Sequence, residues 1–150
     1  MLNITLSQGR IGDRSDATIE GAARIARTLE QGYETRVVSI GQPTPAAQDN
    51  WRASLPQARD TLIGLGDAIT AGLASNAFPV MVVANTCSAS LASLPRVAAA
   101  YPLAVVLWID AHGDFNTPAT TGQAISAAWS LRLPVVSGTA ATAGGSTLAR

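Results

Sequence analysis

The sequence predicts an α/β fold with a mainly parallel sheet, and three observations carry that prediction. Uniformly apolar runs of strand length recur, as in Pro79–Ala84 (PVMVVA) and Leu103–Ile109 (LAVVLWI); runs of this kind suit strands covered on both faces. Segments with apolar residues at helical spacing lie between the strand-like runs. Strand and helix alternate along the chain, the pattern of right-handed crossovers in a parallel sheet.

Each element has a local reason. Leu2–Ser7 (LNITLS) alternates apolar and polar residues and reads as a strand. Gln8–Asp16 is a polar loop. Asp16 is the expected N-cap of a helix running to about Gln31, with Ile19, Ala22, Ala23, Ala26 and Leu29 on its apolar face and Gly32 at its end. Arg36–Ile40 reads as a buried strand, and Gly41–Asn50, with Pro43 and Pro45, as a loop. A long helix is expected from about Trp51 to Asn76, with Pro56 early in it and Gly64, Gly66 and Gly72 weakening it. Pro79–Ala84 is the next strand, Ser88–Ala100 a helix, and Leu103–Ile109 a further buried strand. Gln123–Leu131 has helical character, and Gly138–Arg150 reads as an unstructured tail.

Composition narrows the function classes. Of the 150 residues, 47% are hydrophobic and 13% charged, which excludes a disordered polypeptide. The length suits one domain. Ten cations, all Arg, balance ten acids, so a nucleic-acid or anionic-membrane binder is not expected. The single Cys87 excludes an internal disulfide. The longest apolar stretch, Val97–Ile109, is too short to span a bilayer and contains Pro102. No basic segment precedes an apolar run at the N-terminus, so a cytoplasmic protein is expected. The acids are unevenly placed: none occurs from Phe115 to Arg150.

The sharpest chemical signal is Asp110-Ala-His112-Gly-Asp114, directly after LAVVLWI. On an extended backbone positions 110, 112 and 114 project to one side. Two carboxylates and an imidazole would then converge at the carboxyl end of a buried strand, where α/β sheets bind ligands. That donor set suits Mn2+, Zn2+ or Ni2+, and a cation relieves the repulsion of the paired carboxylates. A polar turn capping the next element is the competing reading of the same residues.

The stretch Trp108–Thr121 (WIDAHGDFNTPATT) closely resembles the second signature of the arginase/agmatinase family, the ureohydrolases. Gly9–Arg14 (GRIGDR), followed by a Gly-Ala-Ala helix, resembles the start of a bacterial arginase-like subgroup. Pro79–Pro102 resembles the first signature region and its helix. The resemblance covers roughly residues 2 to 121 and implies a three-layer αβα fold, arginase/deacetylase-like, of which this sequence carries the N-terminal half. It further implies hydrolysis of a linear amidine or guanidino compound with release of urea, at two Mn2+ ions bridged by a hydroxide. Asp110 matches the bridging carboxylate, His112 a ligand of one ion and Asp114 a ligand of the other. Asn116 and Thr121 match positions that contact the amino-acid end of the substrate. The implied assembly is a homotrimer or hexamer.

Two departures bear on activity. The first signature is usually Gly-Gly-Asp-His-Ser, and here Ala84-Asn85-Thr86-Cys87-Ser88 stands in its place, with Cys87 where the metal-ligating His is expected. Cys87 is thus a candidate ligand, softer than Mn2+ prefers, a buried structural thiol, or a nucleophile with His112 as base in a Cys-dependent hydrolase. The second departure is the missing downstream Asp-x-Asp, which in the family supplies two further metal carboxylates. A two-metal site has six side-chain ligands in the family, so one metal or none is expected here, and an inactive remnant or pseudoenzyme is the alternative.

Residues 1–121 therefore read as the N-terminal part of an arginase-like domain and 122–150 as an aberrant or out-of-frame tail. The family continues with a Ser-Gly-Tyr/Phe-Leu-Gly-Gly-Met-like segment. The codons of Gly122–Trp129 permit Ser-Gly-Tyr-Leu-Gly-Gly-Met in the neighbouring frame, in register.

Overall fold

A computed structural model describes residues 1–47, 51–75 and 79–110. Its elements are β1 (Leu2–Ser7), α1 (Asp16–Gly32), β2 (Thr35–Ile40), α2 (Trp51–Ala74), β3 (Val80–Val83) and α3 (Ser90–Ala100), the last preceded by a 3-10 turn at Cys87–Ala89. The strands form one parallel sheet in the order β2-β1-β3. Ile4 of β1 is level with Val37 of β2 and Met81 of β3. The chain is α/β, as the alternation of elements predicts.

Period-two alternation divides β1 between two helical layers. Ile4 and Leu6 pack with Ala22 and Ala26 of α1, together with Val83, and Leu2, Leu29, Val37 and Met81 close over them. Asn3 and Thr5 turn to the opposite face, where Ala68, Ala71 and Gly72 of α2 lie. A second cluster, Ile11, Ala58, Leu65, Ala89 and Ala92, joins α2 to α3 and to the loop after β1.

The helix starts are set by side chains other than those expected. Ser15, not Asp16, caps α1; its extended backbone lets Oγ accept from Ala17 N at 3.3 Å. Asp16 instead accepts from Ala46 N at 2.6 Å, tying the start of α1 to the loop after β2. Thr86 likewise caps the 3-10 turn, so α3 begins at Ser90 rather than Ser88. The glycines of α2 let it lie close to its neighbours. A Cβ at Gly64 would sit 2.9 Å from Ile40 Cγ2, and one at Gly72 3.2 Å from Val80 Cγ1.

One strand expectation is overturned. Leu103–Ile109 forms no strand, and Leu103, Val105, Leu107 and Ile109 are 97%, 93%, 80% and 86% exposed. The reason is tertiary. A strand apolar on both faces is favourable only where neighbours supply a ladder and layers cover both sides. Among the described residues this run has neither. The same lack leaves Val80, Met81 and Val82 of β3 half-buried, with only Val83 fully so. The expectations for Gln123–Leu131 and Gly138–Arg150 lie outside the described residues.

Candidate functional site at the carboxyl ends of the strands

Parallel strands deliver their carboxyl ends to one edge of the sheet, where loops meet and ligands bind. Here the loop after β1 (Gln8–Ser15), the start of the loop after β2 and the turn after β3 (Ala84–Ser88) meet at that edge. Gln8 N and Gly9 N both donate to Ile40 O, at 2.8 and 3.2 Å, joining the first two.

A buried polar cluster joins the first loop to the third. Asp13 is 4% exposed. Its Oδ2 accepts from Ile11 N at 2.9 Å and from Asn85 Nδ2 at 2.6 Å, and its Oδ1 accepts from Thr18 Oγ1 at 2.7 Å. Asn85 Nδ2 also donates to Gly9 O at 3.2 Å. Around the rim, Arg10 Nε donates to Asp13 O at 3.2 Å, Nη1 to Gln57 Oε1 at 3.1 Å and Nη2 to Ala47 O at 3.3 Å. Among the described residues, Ser7 Oγ, Asn85 Oδ1 and Ser88 Oγ are buried without a hydrogen-bond partner. Orphaned polar atoms at this density are uncommon in a core and mark this edge as chemically distinct.

Cys87 lies two residues beyond Asn85, as the first residue of the 3-10 turn, and is half-buried. Thr86 Oγ1 accepts from Ser88 N at 3.4 Å, and Ser90 Oγ donates to Cys87 O at 2.6 Å. The turn is thus stitched on both sides of the thiol. Asp110 is exposed at the end of the unpaired apolar run. His112, Asp114, Asn116 and Thr121 lie outside the described residues. Among the described residues no three His, Cys, Asp or Glu side chains come together as a metal cluster.

The network around Asp13 was not anticipated from sequence. Its signal was an acid next to Gly12, whose φ of 113° marks a tight turn, two residues ahead of a helix cap and five ahead of a threonine.

Comparison with known proteins matches residues 13–144 to the arginase family. The chain belongs to that family. It is similar to the N(omega)-hydroxy-L-arginine amidinohydrolase of Streptomyces lavendulae, with 51% identity over 121 residues, 81% of this chain and 44% of that protein. The chain therefore spans less than half the length of this curated relative.

Manganese is the metal of arginase-family enzymes. The donor types here can be tested against it. Asp110, His112 and Asp114 offer two carboxylates and an imidazole, with a thiol at Cys87. Hard oxygen donors with one imidazole fit a single divalent ion. A second ion would need carboxylates that no residue after Asp114 supplies.

Proposed function

We propose that this chain is the N-terminal, metal-holding part of a ureohydrolase-type amidinohydrolase, which cleaves a C–N bond of a linear amidine or guanidino compound with water. The contiguous Asp110-Ala-His112-Gly-Asp114 motif, within a chain of this family, carries the proposal. Asp110, His112 and Asp114 would hold one Mn2+, with Cys87 as a further, softer donor. A bound divalent ion lowers the pKa of a coordinated water and so supplies a nucleophile at neutral pH. Asn116 and Thr121 would bind the amino-acid end of the substrate. The carboxylates would also favour a cationic guanidinium at this edge. The name of the Streptomyces relative makes N-hydroxyarginine a substrate to test beside arginine, agmatine and guanidinobutyrate. We further place the protein in the cytoplasm, with a small-molecule substrate and no nucleic-acid or membrane partner, and assign a trimer or hexamer to the complete enzyme.

The absence of acids after Asp114 favours a second reading, a remnant or pseudoenzyme that binds at most one metal. Metal analysis with urea assays separates the two. The expected result for the 150-residue chain is one divalent ion per chain, lost in Asp110→Asn, with no urea released. Two ions per chain with urea production would sink the remnant reading; no ion at all would sink the metal assignment. A Cys-dependent hydrolase is the remaining alternative, and ester or amide hydrolysis abolished by Cys87→Ser would identify it.

Residues 122–150 are proposed to come from a one-base slip near codon 122. The loss of acids after Asp114 and the ordered codon run of Gly122–Trp129 support this. The family match extends to residue 144, past the slip, and counts against it, so the gene sequence decides. The gene sequence is expected to encode the arginase-like continuation in the neighbouring frame from codon 122 onward. Its absence there would end the proposal.

A further inference from the structure

We infer that Asp13 is a positioning residue which, through Asn85, fixes the turn presenting Cys87 at the carboxyl end of β3. The inference goes beyond the proposed function but rests on it for the relevance of Cys87.

The argument starts from Asn85. Both groups that meet its Nδ2, the Asp13 carboxylate and Gly9 O, are pure acceptors, which fixes the orientation of the amide. That orientation leaves Oδ1 buried with no partner, an unfavourable arrangement for an amide oxygen. An amide with freedom to turn or move would not settle there. The contact to Asp13 Oδ2, at 2.6 Å, is short and charge-assisted, the class of hydrogen bond strong enough to impose it.

Asp13 is itself immobilised. Ile11 N holds it within its own loop and Thr18 Oγ1 holds it to the first turn of α1. The carboxylate therefore connects a rigid helix start to a residue 72 positions away in sequence, two residues before the thiol. Thr86 and Ser90 fix the local shape of the turn. The Asn85 contacts join the start of the turn to the loop after β1, beside the packing of Ala89 with Ile11. Asp13 reaches the turn of Cys87 through Asn85, so its effect on the site would be geometric.

Cys87 is the single cysteine, so its alkylation by iodoacetamide reports on this turn alone. The test uses the full 150-residue chain without metal, across low urea concentrations. Asp13→Ala removes the oxygen that accepts from both Ile11 N and Asn85 Nδ2. It is expected to raise the Cys87 alkylation rate about tenfold, the scale of losing one hydrogen bond to a charged group. That rise should be independent of low urea, as for local opening. Asn85→Ala should give the same result. Thr18→Val loosens Asp13 but leaves the Asn85 contact, and should raise alkylation less than Asn85→Ala does.

Unchanged alkylation in both Asp13→Ala and Asn85→Ala would overturn the inference. A rise that tracks urea as global unfolding does would overturn it too, because that is the signature of a stability role alone. If Asp13→Ala does not fold, Asn85→Ala decides by the same criteria. Co2+ titration keeps the two readings apart: a wild-type chain that binds Co2+ without a thiolate charge-transfer band refutes Cys87 as a ligand, while the alkylation results stand or fall independently.

Discussion

Gly41→Ala should destabilise the fold by about 2–4 kcal/mol, combining a positive-φ penalty with overpacking. Gly41 has φ +78°, a conformation in which a Cβ meets its own backbone. The space is closed as well: a Cβ would lie 2.7 Å from Gly9 Cα, 2.7 Å from Gly9 N and 2.9 Å from Thr61 Oγ1. Two of these are backbone atoms, and Gly9 cannot withdraw, because its N–H is bonded to Ile40 O at 3.2 Å and its carbonyl accepts from Asn85. Gly9 is similarly confined, since its own Cβ would meet the Thr61 side chain. Chemical denaturation should show the midpoint falling with the slope retained. A wild-type midpoint would show that the crossing of these loops is looser than the structure has it.

Leu65→Ala is the second large effect. Leu65 is fully buried in the cluster joining α2 to α3 and to the loop after β1. Three of its four fully buried neighbours, Ala58, Ala89 and Ala92, are too small to fill the space left behind, which leaves Ile11 and the partly buried Ile40 and Leu62 to close part of it. The expected cost is about 2–5 kcal/mol, transfer and cavity terms together. Set against a typical domain stability of about 5–15 kcal/mol, that removes much of the margin. Thermal melting followed by circular dichroism checks it. Leu65→Met, which roughly preserves volume, should cost under about 1.5 kcal/mol.

The elements most legible in the sequence were those whose signal is local. Leu2–Ser7 and Trp51 as the start of α2 came out as expected, because alternation and helical spacing are properties of short windows. Cap positions slipped by a residue or two. Asp16 looked like the cap of α1, but its carboxylate is engaged by Ala46 N, and Ser15 takes the role. Leu103–Ile109 was misread because its apolar pattern states a need for covering layers and cannot say whether they are present. The site divides the same way. The donor pattern of Asp110, His112 and Asp114 is contiguous and stands out in the sequence. The Asp13–Asn85 contact joins residues 72 positions apart, and no window of sequence contains both.

The central place of β1 has a consequence for how the chain is made. The earliest made of the three described strands is the one that both others need as a partner, and it cannot be paired on both edges until Val83 has emerged. Until then Ile4 and Leu6 have only part of their final surroundings, an exposure typical of folds built on distant contacts. Once β3 docks, every strand of the described sheet is in place, and the Asp110–Asp114 motif leaves the ribosome later. The scaffold around Cys87 and the remaining metal donors would therefore be assembled at different times during synthesis, the first without requiring the second.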